Sequence, residues 1–297
     1  MTKQLDTIGI IGVGLMGHGI ATNIKAHGYS LVFLDHPGNQ QVDDLVGAGA
    51  TKAASPKAVA QQSDVVVLCV TGTPQVEAVM YGDAGVLAGL RPGATVVDCS
   101  TAMPSSTERI AAAVRKAAGH FLDAAMTRTP HEAAQGRLNL IIGGERADFE
   151  RCKPLLASFA ENMTYTGPAG TGHRMKLIHN FVSLGFAAVL TEAAACAEHA
   201  GVAPETLLEI LASGGGGGVV LERFRPYIQA RDESSFRFSL ANALKDLSYY
   251  TAMADEAGMP HRTADAVRAA YQQGHEARPE GTVPELIEVW LAARRST

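Results

Sequence analysis

The segment GTGHRMKLIHNFVSLGFAAVLTEAAA, Gly170 to Ala195, sets Lys176, His179, Asn180 and Ser183 within one helix-patterned stretch. Each helical step turns about 100°, so with Lys176 at zero Ser183 falls near about −20°, Asn180 near about +40° and His179 near about −60°. Leu177, Ile178, Phe181 and Val182 point elsewhere. A cation, an imidazole, a carboxamide and a hydroxyl thus share one stripe of a mostly apolar helix. Such a stripe is either a solvated edge or the wall of a site for a small polar molecule.

A second cluster opens the chain. IGIIGVGLMGHGIA carries Gly12-Val13-Gly14-Leu15-Met16-Gly17, a G-x-G-x-x-G pattern between a strand-like and a helix-like run. The first glycine allows a tight turn, the second lets a pyrophosphate approach the backbone, and the third lets helix and strand pack closely. The helix N-terminus then offers N–H groups and partial positive charge to the phosphates. Asp35 follows Gly17 by 18 residues, at the end of the next apolar run, where the ribose-binding acid belongs. Its carboxylate can accept from both ribose hydroxyls and repels a 2′-phosphate. The following HPGNQQVDD offers no Arg or Lys, so NAD is expected over NADP.

The elements that must hold these residues read as follows. Apolar runs rich in Val and Ile occur at 7–13, 30–35, 64–70, 94–100, 120–126 and 138–144, without strict alternation, as in strands covered on both faces. Helical stretches such as 105–119 and 147–160 lie between them, which predicts a doubly wound, mainly parallel α/β sheet of the Rossmann type. From about Gly170 the strands stop. A long helix ends at Gly201 as a C-cap, and PETLLEILASG and FSLANALKDLSYYTAMADEAG add further helices. The expected architecture is a nucleotide-binding domain over 1–168 and an all-helical domain over 169–297, joined by the long helix. Gly214–Gly218 reads as a mobile loop.

At 297 residues the chain is long enough for two domains, and 46% hydrophobic with 19% charged residues is ordinary globular composition. A net charge of −5 argues against nucleic acid. Cys69, Cys99, Cys152 and Cys196 lie far apart, without metal-ligand spacing, and read as reduced, mostly buried thiols. The opening MTKQLDTIGIIGVG lacks the features of a signal peptide, and no run of about 20 apolar residues is uninterrupted. A cytoplasmic protein without a membrane span is expected, and no metal site.

The glycine fingerprint, DCSTAMP (98–104), GPAGTGHRMKLIHN (167–180) and FRFSLANALKDL (236–247) occur in the order of the β-hydroxyacid dehydrogenases, a family the chain resembles over nearly its whole length. The resemblance implies a reversible oxidation of a 3-hydroxy acid to its aldehyde, and a homodimer or homotetramer. By motif, Lys176 matches the family's catalytic lysine and Asn180 an asparagine that helps hold substrate. Thr101 matches a residue beside the nicotinamide, and Lys245 one that closes on the cofactor. Val70 and Thr71, at the end of the strand-like run 64–70, are assigned to the cofactor as well. Aldehyde reduction leaves negative charge on oxygen, which an ammonium stabilises and protonates.

One motif departs from the family. Where most relatives have D-A-P-V-S-G-G, this chain reads Asp123-Ala124-Ala125-Met126-Thr127-Arg128-Thr129-Pro130, so Arg128 and Thr129 replace two glycines. With Ala133 and Gly136, this looks like the 3-sulfolactaldehyde reductase branch, as does Ser183. His179 stands where that branch has asparagine. Arg128 would add a fixed fork of donors to an anion pocket, with Thr129, His179, Asn180 and Ser183 as further substrate contacts. The leading expectation is reduction of 3-sulfolactaldehyde. A carboxylate substrate of the 3-hydroxyisobutyrate or tartronate semialdehyde type is the alternative, and a non-catalytic NAD-binding interaction module the reading from another class. His131, His173 and His261 carry no constellation in the sequence.

Overall fold

The computed structural model describes residues 6–293, so the first residues of the segment read for a leader lie outside it. Along the chain run β1 (Thr7–Ile11), α1 (Leu15–Ala26), β2 (Ser30–Leu34), α2 (Asp43–Gly47), β3 (Thr51–Ala53), α3 (Pro56–Gln62), β4 (Val65–Leu68) and α4 (Thr73–Met80). Next come α5 (Val86–Gly89), β5 (Thr95–Asp98), α6 (Pro104–Lys116), β6 (His120–Thr127), α7 (Pro130–Ala134), β7 (Leu138–Gly144), α8 (Arg146–Leu156) and β8 (Ala160–Gly167). The rest is helical: α9 (Thr171–His199), α10 (Pro204–Ser213), α11 (Val219–Ala230), α12 (Leu240–Glu256), α13 (Arg262–Ala277), a 3-10 turn (Val283–Glu285) and α14 (Leu286–Ala292).

The strands form one sheet in the order β3-β2-β1-β4-β5-β6-β7-β8. All pairs are parallel except β6–β7. The unbroken apolar strands have their cause here. Val65 and Val67 join one core layer with Ile8 and Ile10, while Val66 and Leu68 join the opposite layer with Val59 and Val76. Both faces are covered, so period-two polarity disappears. Two strands were missed in the sequence. β3 (TKA) and β8 (AENMTYTG) are the sheet's two edges and carry polar residues, so neither reads as an apolar run.

The chain divides into two compact units, Met1–Lys176 and Leu177–Thr297. The first unit extends past the last strand into the start of α9, because backbone N–H groups there bond to Asp123 of β6. The second unit has its own core, in which Leu184, Leu190, Phe224, Leu247, Tyr271 and Leu286 are buried together. Tyr271 Oη donates to the Leu184 carbonyl (2.8 Å) and Trp290 Nε1 to Thr191 Oγ1 (3.1 Å). α9 ends as its sequence predicts: Gly201 has φ +74°, and Val202 N donates to Ala197 O (3.0 Å). Gly214–Gly218 forms the turn between α10 and α11. Among the described helices α9 alone is long and apolar enough to cross a membrane, by length and composition only, and 44% of that stretch is buried inside the protein. Cys99 and Cys152 are buried and Cys69 half-buried, but Cys196 is exposed.

Candidate active site

The three glycines of the fingerprint each do a different job. Gly12 has φ +97°, and a Cβ there would sit 2.2 Å from the Cys69 carbonyl oxygen. A Cβ on Gly17 would sit 1.9 Å from the Gly12 carbonyl oxygen, so only glycine lets α1 start this close to β1. Above Gly14 there is open space to 4 Å, and the first turn of α1 carries no acidic residue. A pyrophosphate fits there, over N–H groups that α1 leaves unpaired within the helix. Val13 is buried, its N–H donated to Asn39 Oδ1 (3.3 Å), and Asn39 Nδ2 donates to the Leu34 carbonyl (2.9 Å). Exposed Leu15 and half-buried Met16 open the helix. Strand order reverses between β1 and β4, the place in such sheets where ligands bind beyond the carboxyl ends of the strands.

Asp35 follows β2 directly and is exposed. Its Oδ1 lies 3.3 Å from Nζ of Lys52, on the neighbouring strand β3. A cation therefore stands beside Asp35 although residues 36–44 contain no Arg or Lys, because strand pairing brings in a residue remote in sequence. Val70 and Thr71 follow β4, and Thr101 follows β5, at the same edge of the sheet. Val70 N donates to Ser100 Oγ (3.1 Å), and Ser100 N to Asp98 Oδ1 (2.9 Å).

The start of α9 is anchored on the sheet. Asp123, fully buried in β6, accepts from Gly170 N and His173 N, both at 2.8 Å. It supplies acceptors and negative charge at a helix N-terminus, both favourable. The fit demands glycines. A Cβ on Gly172 would lie 2.6 Å from the Ile141 carbonyl oxygen and 2.8 Å from Asp123 Oδ2, and one on Gly143 would lie 2.7 Å from Asp123 Oδ1. Lys176, half-buried, comes within the next turn.

Further along α9, His179 is exposed, Asn180 is only 6% exposed and Ser183 half-buried. Asn180 Nδ2 donates to Asp246 Oδ2 (2.6 Å), while its Oδ1 meets His179 Nδ1 (3.0 Å). Lys245 Nζ is 3.2 Å from the other oxygen of Asp246. Asp246 thus orients two candidate residues at once, and the sequence reading missed it. The signal was present: Asp246 falls among buried Leu240, Ala243 and Leu247, on the apolar stripe of α12, where a carboxylate needs partners.

Two histidines to which the sequence assigned no role have partners in the fold. His173 is fully buried, with Nδ1 2.7 Å from Thr107 Oγ1. His261 Nε2 lies 2.7 Å from Asp255 and Nδ1 2.9 Å from Asp265, and these carboxylates raise its pKa, the Asp255 hydrogen bond most. Among the described residues no group of three or more His, Cys, Asp or Glu could hold a metal ion.

The divergent motif divides in two. Ala133 is fully buried, and a Cβ on Gly19 of α1 would lie 2.6 Å from its carbonyl carbon. Gly136 has φ +69° and faces Asn23, whose Nδ2 donates to the carbonyls of Ala133 (3.0 Å) and Ala134 (3.1 Å). These two positions dock α7 on the cofactor helix. Thr129 caps α7, its N and Oγ1 both bonding to Glu132. Arg128, at φ +82°, pairs with Glu161 of β8 and donates to the Arg137 carbonyl. That hydrogen bond is the main reason the Glu161 carboxyl lies below its usual range. Both contacts use Nη1 of the guanidinium.

Residues 7–167 match the family model described as the NAD binding domain of 6-phosphogluconate dehydrogenase, and residues 170–287 the one described as the NAD-binding of NADP-dependent 3-hydroxyisobutyrate dehydrogenase. An NAD-dependent L-serine dehydrogenase of Pseudomonas aeruginosa is 34% identical over 75% of this chain and 74% of its own. The chain belongs to the β-hydroxyacid dehydrogenases. A 3-sulfolactaldehyde reductase of Escherichia coli is 29% identical to this dehydrogenase over 92% of the chain and 91% of its own. A crystal structure of 3-hydroxyisobutyrate dehydrogenase from Salmonella typhimurium superposes with a TM-score of 0.83 at 26% identity, covering 96% of this chain and 99% of the other. As a β-hydroxyacid dehydrogenase the protein is an oxidoreductase acting on CH–OH groups, and its cofactor is NAD.

Proposed function

We propose that this dehydrogenase reversibly reduces a short anionic aldehyde, with Lys176 as proton donor and 3-sulfolactaldehyde, giving 2,3-dihydroxypropane-1-sulfonate, as preferred substrate. The anchored start of α9 supports the reading: Asp123 and two close glycines fix the turn of α9 that leads to Lys176. The loop of Gly12, Gly14 and Gly17 would hold the pyrophosphate and Asp35 the ribose, with Val70, Thr71, Thr101 and Lys245 as further contacts. Bound NADH supplies a hydride to the aldehyde carbon. As that carbon turns tetrahedral, negative charge grows on oxygen. The Lys176 ammonium stabilises it and gives up a proton, and the amine takes the proton back in the reverse direction. Asn180, steered by Asp246, and Ser183 present hydrogen bonds from the same helix, with His179 beside them.

Arg128 reads the anion. A sulfonate offers three oxygens and stays ionised at biological pH, which suits a guanidinium fork. The alignment over nine-tenths of a 3-sulfolactaldehyde reductase supports this choice. A carboxylate substrate is the second reading, favoured by the higher identity to an L-serine dehydrogenase. We further take the enzyme to be a cytoplasmic homodimer or homotetramer. Ile178, Val182 and Val189 line α9 as an apolar seam, exposed at 37%, 65% and 65%, of the kind subunit contacts cover.

The test is initial rates of NADH oxidation with 3-sulfolactaldehyde, methylmalonate semialdehyde and tartronate semialdehyde, for wild type, Arg128→Ala and Lys176→Ala. The expected result is preference for sulfolactaldehyde, lost mainly in Arg128→Ala. Lys176→Ala should lose about 10²–10⁴-fold in turnover with NADH binding intact. A carboxylate preference indifferent to Arg128 overturns the sulfonate reading, and an active Lys176→Ala overturns the mechanism.

A further inference from the structure

Beneath the start of α9 lie three ionisable side chains that the mechanism does not use. Asp98 at the end of β5, Asp123 in β6 and His173 on α9 are all fully buried. Asp98 and Asp123 stand side by side on neighbouring strands. Among the described residues, Asp98 Oδ2 and His173 Nε2 are buried without a hydrogen-bond partner. Burial above all, with the neighbouring Asp123 charge as a smaller cause, drives the Asp98 carboxyl upward, and the largest opposing influence is the charge of His173, ahead of its bonds to Ser100.

The hydrogen bonds fix the histidine's orientation. Thr107 Oγ1 donates its single proton to the Met103 carbonyl (3.1 Å), so at 2.7 Å it accepts from His173 Nδ1. That leaves Nε2 buried without a hydrogen-bond partner among the described residues. The cluster links two regions. On one side Asp98 Oδ1 holds Ser100 N, and Ser100 Oγ holds Val70 N, in the loops assigned to the cofactor. On the other side the same His173 whose ring meets Thr107 gives its backbone N–H to Asp123, three residues before Lys176.

We propose that His173 is a positioning residue, which with Asp98 and Thr107 ties the cofactor-side loops to the first turn of α9 and so sets Lys176 when the cofactor binds. The proposal rests on Lys176 as the proton donor. Val70, Ser100 and Asp98 are joined by short hydrogen bonds, Asp98 stands in register with Asp123 on the paired strand, and Asp123 holds the His173 N–H. A displacement of the loops at Val70 and Ser100 is therefore passed to a helix end that has little freedom to yield, because Gly172 and Gly143 already pack at the limit of contact. Misplacement of a reacting group by about 1 Å can cost about 10²-fold in rate, so a positioning residue far from substrate acts on turnover rather than on binding.

The experiment compares wild type with His173→Asn, His173→Leu and Thr107→Val. Asparagine keeps a donor where Nδ1 stood. Valine at 107 preserves shape and removes the hydroxyl that meets both His173 and the Met103 carbonyl, which keeps the test open if His173→Leu folds poorly. NADH dissociation constants come from fluorescence titration, kcat and KM from initial rates, and order at 171–176 from amide hydrogen exchange with and without NADH. Expected are dissociation constants and KM within about twofold of wild type. The expected kcat is lowered about 10–100-fold in His173→Leu and Thr107→Val, with partial rescue by His173→Asn. NADH should slow exchange at 171–176 in wild type and not in His173→Leu or Thr107→Val. Unchanged kcat in both of those variants, or exchange at 171–176 indifferent to NADH in wild type, overturns the proposal. Should wild type reduce no short aldehyde, the reading of Lys176 falls, while the exchange arm still decides the coupling.

Discussion

Gly172→Ala and Gly185→Ala make the same chemical change on the same helix and should act in opposite directions. At Gly172 the added Cβ would stand 2.6 Å from the Ile141 carbonyl oxygen and 2.8 Å from Gly143 N, both backbone atoms of a buried strand. The first turn of α9 must then rise by about 0.8 Å to reach ordinary contact, which stretches the bonds from Gly170 and His173 to Asp123. Overpacking of this kind costs about 1–3 kcal/mol, and weakening two charge-assisted hydrogen bonds adds to it. A loss of about 2–4 kcal/mol corresponds to roughly 4–16 °C in Tm for a chain of this size class. The same shift carries Lys176 with it, so kcat should fall about tenfold or more. At Gly185 the nearest atom to an added Cβ is Val267 Cγ2 at 3.8 Å, a normal contact. Alanine in a helix interior is favoured by about 0.5–1 kcal/mol, so Gly185→Ala should raise Tm by about 1–4 °C at unchanged kcat. Thermal melts and initial rates on both variants decide the matter. Full stability and activity in Gly172→Ala would refute the claim that this glycine exists for close packing.

Asp35→Ser removes the ribose acid and leaves Lys52 beside the vacated position, so the NADPH/NADH affinity ratio should rise roughly ten- to hundredfold in binding titrations; an unchanged ratio would show that Asp35 does not select the cofactor. His261 between Asp255 and Asp265 has its pKa raised above 6.5 in the folded protein, so its contribution is complete below pH 6.5 and lost as pH rises through the raised value. Melts of wild type and His261→Asn should therefore differ more at acid than at alkaline pH, and a gap that widens with rising pH would contradict the assignment.

The nucleotide half of this protein is legible in its sequence because its signals are local. The G-x-G-x-x-G spacing and the close approach of Gly17 to Gly12 lie within one strand–turn–helix unit, and the Val-rich strands report burial on both faces without reference to their partners. The helical stripe of Lys176, His179, Asn180 and Ser183 follows from the geometry of one helix. Each residue's partners, by contrast, follow from chain crossings no local pattern contains. Lys52 reaches Asp35 only because β3 pairs with β2, and Asp246 reaches Asn180 only because α12 packs beside α9. The edge strands β3 and β8 stayed hidden since an edge stays polar, and β8 supplies the Glu161 that engages Arg128. Ala133 and Gly136, read as part of a substrate signature, turned out to dock α7 on α1. Residue types and local spacing determine which chemistry the chain can offer. Tertiary structure alone decides which buried charges face one another, because desolvation forces each of them to find a partner wherever the fold brings one.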